Sequence, residues 1–324
     1  MQMKKKLIYS GVIALVVAGL IVAGIHIFGP VKKNKLLDPV TLKVGTMYSG
    51  KKLMADLAFT NMSFSTHDEK IAQVSYGTIN GMIMPIEEGS TKIVLKGTYK
   101  NETYTRVLPV KVKNESGVKV GCDISAWNTA FDADKVKDYN LDFVMLRLGV
   151  SSDVDRLSRL KAIALKKAGV GMGAYWYLAS EDRQSLVSVK EAEKQAKMFV
   201  RMLNNMEGRT MEYPVFLDLE SMTLIHQKDA VGYLEKIVQS FIGILQKAGY
   251  KNVGIYANRN FLVNYLTSDY YKSFDKVWYA RYGYAKSGPY SDGSRAYLWQ
   301  TGDHYKSAVV GHKHLDLDYM YTAH

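Results

Sequence analysis

The sequence predicts an α/β protein: an irregular TIM-like (β/α) barrel, preceded by a small all-β sandwich and an N-terminal transmembrane helix. Three observations carry this. Residues 7–28 are uncharged and flanked by lysines. Residues 37–114 hold short runs rich in Val, Ile, Thr and Tyr, punctuated by glycine, with no helical period. From residue 118 onward, strand-like runs alternate with helical ones. Apolar residues make up 47% and charged residues 23%, which excludes wholesale disorder, collagen and a polytopic membrane protein. The single cysteine, Cys122, excludes an intramolecular disulfide framework and a Cys-rich zinc site.

Residues 1–36 read as a cytoplasmic tail, a signal anchor and a basic linker. Lys4, Lys5 and Lys6 precede the stretch 7–28. As a helix it spans about 33 Å, enough for a bilayer core. It exceeds the ~7–15 residues of a cleaved signal core, and no Ala-x-Ala site follows. An uncleaved single-pass anchor in the cell membrane is expected. Lys32, Lys33 and Lys35 make the far flank basic too. The short acid-free tail is the easier end to retain, which places the N-terminus inside and the remaining chain outside. Six lysines and no acid in residues 1–36 supply half of the formal charge of +12. Residues 115–324 carry only +3, too little to argue for nucleic acid.

In residues 37–114 the strand-like runs are 40–44, 59–64, 71–75, 79–84, 93–99 and 104–112. Short strands at this spacing imply a β-sandwich. The run Met62-Ser-Phe-Ser-Thr-His-Asp-Glu-Lys-Ile-Ala-Gln-Val, then Gly81, then Glu88-Gly-Ser-Thr-Lys-Ile resembles bacterial immunoglobulin-like domains, with Phe64 where that family usually has Trp. No catalytic set is found here. His67, Asp68 and Glu69 read as a solvated turn, and the module as a spacer or weak wall-binding unit.

Residues 115–324 form the second domain. Its expected strands are 118–124, 143–148, 171–177, 215–219, 253–257, 277–281, 297–300 and 315–319, with helices over 133–139, 156–168, 187–206 and 229–248. Two of these helices end in Lys-Ala-Gly, with a cation in the last turn and glycine as the cap. The last three strands leave little room for helices, so the barrel is irregular. Chemistry in such a barrel gathers at strand C-termini. The first strand ends in Gly121-Cys-Asp123-Ile-Ser-Ala-Trp127, the fourth reads Tyr213-Pro-Val-Phe-Leu-Asp218-Leu-Glu220, and the last holds Leu315-Asp316-Leu-Asp318. The two-residue period puts Asp218 and Glu220 on one side of their strand. Acids that close share protons, as glycosidic cleavage requires: one protonates the leaving oxygen while another stabilises the oxocarbenium-like centre. Trp127, Tyr175, Trp176, Tyr177, Tyr256, Trp278, Tyr279, Tyr282 and Trp299 crowd the same strand ends. Flat rings with polar tips suit sugar faces; barrel core is the competing use.

At this point the domain resembles glycoside hydrolase family 25, the N-acetylmuramidases. The ordered segments are Gly121-Cys-Asp123-Ile-Ser-Ala-Trp127, Phe143-Val-Met-Leu-Arg147, Ala168-Gly-Val-Gly-Met-Gly-Ala-Tyr-Trp-Tyr177, the Asp218-Leu-Glu220 strand, Ala248-Gly-Tyr-Lys-Asn-Val-Gly-Ile-Tyr256, Val277-Trp-Tyr-Ala-Arg-Tyr282, Leu298-Trp-Gln300 and Leu315-Asp-Leu-Asp318. The resemblance implies cleavage of the β-1,4 bond between N-acetylmuramic acid and N-acetylglucosamine in peptidoglycan. It implies Glu220 as general acid, Asp218 as stabiliser or orienter of the acetamido group, and Asp123 and Asp316 as the other active-site carboxylates. Trp127, Tyr175, Tyr177, Tyr256, Trp278, Arg281, Trp299 and Gln300 become substrate-binding candidates. Arg281 either binds a sugar carboxylate or neutralises the acids, the second reading being favoured. No metal or organic cofactor is expected.

Three departures stand out. Asn128 follows Trp127 where Gln is usual, Asp318 stands where Asn is usual, and the loop after Arg147 is short and lacks Gly-Tyr-Gly. They leave open a barrel that binds peptidoglycan without turnover, as part of an envelope or secretion assembly, or one acting on chitin-like chains. His304, His312 and His314 read as a solvated loop, and Cys122 as a buried inert thiol.

Overall fold

The computed structural model describes residues 32–115, 117–206, 211–225, 230–290 and 296–322. The expected anchor at 7–28 lies outside the described residues. Among the described residues no helix is long and apolar enough to cross a membrane.

The N-terminal module contains β1 (Asn34–Leu36), β2 (Val40–Lys43), β3 (Tyr48–Ser49), β4 (Thr60–Thr66), β5 (Ala72–Val74), β6 (Met82–Pro85), β7 (Gly89–Tyr99) and β8 (Glu102–Lys113). One sheet runs β1-β8-β7-β4 with β2 also on β8; the other is β3-β6-β5. The β7–β8 hairpin turns through Lys100 and Asn101, both at positive φ, as a two-residue turn between twisted strands requires. Two expectations change here. A short helix, α1 (Gly50–Met54), forms behind the Ser49 cap. Strand 79–84 begins only at Met82, because residues 77–79 make a 3-10 turn between Gly77 and Gly81, both left-handed.

The module is not a detached stalk. All four residues of β6 are buried, as in a strand covered on both faces. Its far face meets the second domain: the Tyr319 hydroxyl donates to Pro85 O and the Tyr321 hydroxyl to Gly45 O, each at 2.7 Å. One apolar core runs from Leu42 and Ile83 through to Tyr319 and Tyr321.

The second domain is a closed barrel. Its strands are β9 (Lys119–Ile124), β10 (Phe143–Val150), β12 (Gly171–Tyr177), β13 (Val215–Asp218), β14 (Val253–Asn258), β15 (Val277–Ala280), β16 (Leu298–Ser307) and β17 (Lys313–Met320), with the two-residue β11 (Asp153–Val154) appended to β10. They are paired in that order, and β17 returns to β9. β17 runs antiparallel to both its neighbours. This reversal corrects the placement of the last carboxylates: the N-terminal half of β17, not its C-terminal end, reaches the top of the barrel. Asp316 pairs with Asp123, and Asp318 lies lower, opposite Gly121.

Helices α2 (Asp134–Asp138), α3 (Ser158–Lys167), α4 (Val189–Asn204) and α5 (Ala230–Lys247) fill the first crossovers, and α6 (Arg259–Asn264) and α7 (Ser268–Lys272) follow β14. The Ser188 hydroxyl accepts from Glu191 N while Glu191 answers the Ser188 N–H, a capping box that sets the start of α4. Gly169 and Gly249 turn left-handed just past α3 and α5, where the Lys-Ala-Gly endings placed the stops. Among its described residues the β15–β16 connection has no helix, so the barrel is irregular as expected. Alternation decides the layers. Phe143, Met145, Tyr175, Phe216, Tyr256, Trp278, Leu298 and Met320 fill the interior. Their neighbours Val144, Leu146, Trp176, Leu217 and Trp299 join the outer core. Gly121 lets the Phe143 ring cross the barrel floor, since a Cβ there would lie 2.5 Å from it.

Candidate active site

The sequence expectation that Asp218 and Glu220 share a face holds. Both line one cavity of about 570 Å³, while Leu219 is buried in the outer core. Trp127, Arg147, Tyr175 and Tyr177 line the same cavity. Glu220 also borders a second cavity of about 410 Å³, with Tyr256, Asn258, Arg281 and Tyr282. Glu220 thus stands where two cavities meet. A cavity of about 980 Å³ lies along the outer side of α4 and holds none of the inward-facing acids. Chemistry rather than volume selects the site.

Asp123 is 4% exposed and held from two sides. Gln300 Nε2 donates to its Oδ2 at 2.6 Å and the Tyr175 hydroxyl to its Oδ1 at 3.3 Å. Burial raises its pKa to about 7 against those hydrogen bonds. Gln300 is oriented in turn, its Oε1 accepting from the Tyr256 and Tyr282 hydroxyls at 2.8 and 2.7 Å. Burial, then the charges of Glu220 and Asp123, push Asp218 well above the carboxylate range. Its Oδ1 has no hydrogen-bond partner among the described residues. Glu220 is raised chiefly by burial, opposed by the Tyr256 hydroxyl on its Oε2 at 3.4 Å and by the Arg147 charge. Asp316 and Asp318 are raised by burial first. Five acids in one low-dielectric space each keep their proton to higher pH than an isolated carboxylate would.

Arg147 is the cation that tempers them. Its field lowers Asp123, Asp218 and Glu220. Its Nε and Nη2 bond Asp155 at 3.1 and 3.2 Å, and Asp155 Oδ2 also accepts Ala126 N. The short loop after Arg147 is a tight β10–β11 hairpin through Ser151 at φ 55°, which returns Asp155 to the arginine. Neither Arg147 nor Asp155 was among the residues singled out as site candidates. The signal was present: Phe143, Met145 and Arg147 follow the inward two-residue period, and Arg147 stands in the C-terminal half of the strand. Tyr282, on Gln300, belongs to the aromatic crowd at the strand ends but not to the binding candidates.

The other candidates separate. Trp127 is 82% exposed at the cleft, displayed by a turn in which Asn128 Oδ1 accepts Ser125 N at 2.8 Å. That bond gives the unusual Asn128 its role. Burial pushes the Tyr177 phenol up to about 12, so it stays a donor. Trp278 lies under the cleft rather than in it, packed on Tyr175, Phe216 and Tyr256, with Nε1 donating to Asp318 Oδ1 at 2.9 Å. Trp299 is a correction: strand alternation turns it outward, where it is fully buried and donates to Arg281 O. Arg281 borders the second cavity, but its guanidinium stacks 3.4 Å from the Tyr284 ring and donates to Pro289 O. The neutralising role expected of it falls to Arg147. His304 and His314 are also corrected: they sit on β16 and β17 in ring contact with Tyr76, not in a solvated loop. Cys122 is buried outside the interior layer, and burial raises its thiol, as an inert cysteine requires. Among the described residues no group of His, Cys, Asp and Glu forms a metal site.

The family described as Glycosyl hydrolases family 25 matches residues 122–309, more than half of the chain. The chain belongs to glycosyl hydrolase family 25. It is a glycoside hydrolase, and the barrel is the family's. The match begins inside β9 and leaves the β-module outside it. Among solved structures, a family 25 glycosyl hydrolase from Bacillus anthracis is 21% identical, covering 63% of this chain and 89% of its own, with a TM-score of 0.51. The spore cortex lytic enzyme SleM of Clostridium perfringens is 21% identical, covering 64% and 68%, with a TM-score of 0.52. The modular autolysin LytC of Streptococcus pneumoniae is 18% identical and aligns with 78% of this chain, which spans 57% of that protein, with a TM-score of 0.52. At these identities the likeness is one of fold. No curated protein matches the chain.

Proposed function

We propose that this glycoside hydrolase is a membrane-anchored muramidase. It cleaves the β-1,4 bond between N-acetylmuramic acid and N-acetylglucosamine in peptidoglycan, for local remodelling of the wall. The observation that carries the reading is Glu220 at the junction of two cavities, its pKa raised by burial. A glycan laid across that junction places a glycosidic oxygen over the acid. Glu220 protonates this leaving oxygen, and activity falls as pH rises through its raised pKa. Asp218, which lines the cavity and whose buried Oδ1 has no partner among the described residues, orients the acetamido group. Asp123, raised only to about 7 and so partly ionised near neutrality, supplies the negative field for the oxocarbenium-like centre, with Asp316 beside it across β9 and β17. Trp127 offers its exposed ring to a sugar face. The similar pneumococcal autolysin has been solved with a synthetic peptidoglycan ligand, which supports the choice of polymer.

The β-module, read as bacterial immunoglobulin-like on its sequence, and the anchor at 7–28 keep the barrel outside the cell and close to the membrane. That restricted reach favours local trimming over bulk lysis. The test uses full-length protein in detergent, with Glu220→Gln beside it, on purified peptidoglycan. New reducing ends at muramic acid, identified by mass spectrometry and reduced about 10²–10⁴-fold in the variant, are expected. Equal release by both proteins, or ends at glucosamine, would sink the reading.

A further inference from the structure

The β-module touches the segments that organise the cleft. Along β16, the Thr301 hydroxyl reaches Met84 Sδ at 3.2 Å, and His304 O accepts Tyr76 N at 3.0 Å. Between them, a Cβ on Gly302 would lie 2.5 Å from Ile79 Cδ1, so any larger residue there would have to push the Ile79 methyl aside. The segment after β15 is held from the same side. Ile79 Cγ2 lies 3.4 Å from where a Cβ on Gly283 would be, Lys286 O accepts Met47 N at 3.0 Å, and Ser287 bridges to Thr46. These two segments carry Tyr282 and Gln300. Tyr282 donates to Gln300, and Gln300 donates to Asp123. The β16–β17 register slips on either side of Gly302, so the ladder alone does not set the backbone there.

From this juxtaposition we propose that the module is a built-in part of the cleft, with Ile79 wedged on Gly283 and Gly302 so that Tyr282 and Gln300 hold Asp123 in its working position. Ile79 is a positioning residue: it acts through two stretches of backbone and meets no substrate. The substrate named in the test rests on the muramidase reading above. A module that served as packing alone would lower stability when the wedge is cut, with turnover per folded molecule unchanged. A wedge that positions Asp123 changes kcat, because misplacing a group that acts in the transition state costs rate before binding.

The experiment is a double-variant cycle on the full-length protein: Ile79→Ala, Gly302→Ala and both together. It reads kcat and KM for reducing-end release, melting temperature, and amide hydrogen exchange in 281–290 and 298–304. Ile79→Ala is expected to lower kcat about tenfold with KM within about twofold, and to speed exchange in both segments. Gly302→Ala, whose methyl meets Ile79, is expected to lose more. The double variant should recover part of that loss, because the opposing Cδ1 is gone. An unchanged kcat with a lowered melting temperature overturns the proposal, as does a strictly additive cycle. Should Gly302→Ala fail to fold, the Ile79→Ala rates and exchange decide. Should the wild type release no ends, the muramidase reading falls, and the exchange comparison alone upholds or overturns the seating.

Discussion

Replacing Asp318 with Asn should free the fold of a penalty that grows with pH. Asp318 is fully buried, its Oδ1 accepts the Trp278 indole N–H, and its Oδ2 has no partner among the described residues. Burial, with the Asp123 charge, pushes its carboxyl well above the usual range. In the unfolded chain the same group ionises near pH 4. Between that pH and the raised folded value, the folded protein keeps a proton that the unfolded chain has released. Stability therefore falls as pH rises through the window. One proton gives a slope of up to about 1.4 kcal/mol per pH unit, so each unit above pH 4 over which the folded group keeps its proton removes about 1–1.4 kcal/mol. Asn keeps the acceptor for Trp278 and never ionises. Its amide N–H groups enter a place where Oδ2 found no partner, a pH-independent loss of about 1–3 kcal/mol. Slope and offset separate the two effects. Denaturant unfolding of both proteins at pH 4, 5, 6 and 7 should show Asp318→Asn starting lower and gaining on the wild type by about 1 kcal/mol per unit. A gap that stays constant across this range would refute the claim that folded Asp318 holds its proton.

Two other outcomes follow from the site. Arg147→Met strips Asp155 of its bidentate partner and should cost about 3–5 kcal/mol of stability by calorimetry or denaturant. It also removes the field that lowers Asp123, Asp218 and Glu220, so the limbs of the pH–rate profile should move to higher pH. The two tryptophans should diverge. Trp127→Ala, at an exposed ring, should leave the melting temperature nearly unchanged and raise KM about tenfold, a loss of ~1–2 kcal/mol of binding. Trp299→Ala, at a fully buried ring, should cost about 3–5 kcal/mol of stability with no selective change in KM. The reverse pattern would return Trp299 to the cleft.

Much of the barrel was legible because local rules suffice for it. Strand 171–177 was placed to the residue, and the Lys-Ala-Gly endings located the stops after α3 and α5, since caps act within one turn. Asp218 and Glu220 could be assigned to one face from the two-residue period alone. The same period, applied from Gln300 inward, assigns Trp299 to the outer layer. A crowd of aromatic residues at strand ends does not reveal which way each one points.

Other features rest on distances in space that no sequence interval encodes. The direction of β17 decides that Asp316 faces Asp123 while Asp318 lies one step deeper. Arg147 is a site residue because a hairpin brings Asp155, eight residues further on, back to it. The joining of module to barrel depends on β6 being covered on its second face, and a run of four apolar residues is equally compatible with other burial. Composition and period determined which residues are inward, which acids are neighbours along a strand, and the class of fold. Charge sharing among acids on different strands, and the seating of Gly302 against Ile79, arise only where remote segments meet, because burial and Coulomb fields depend on through-space separation.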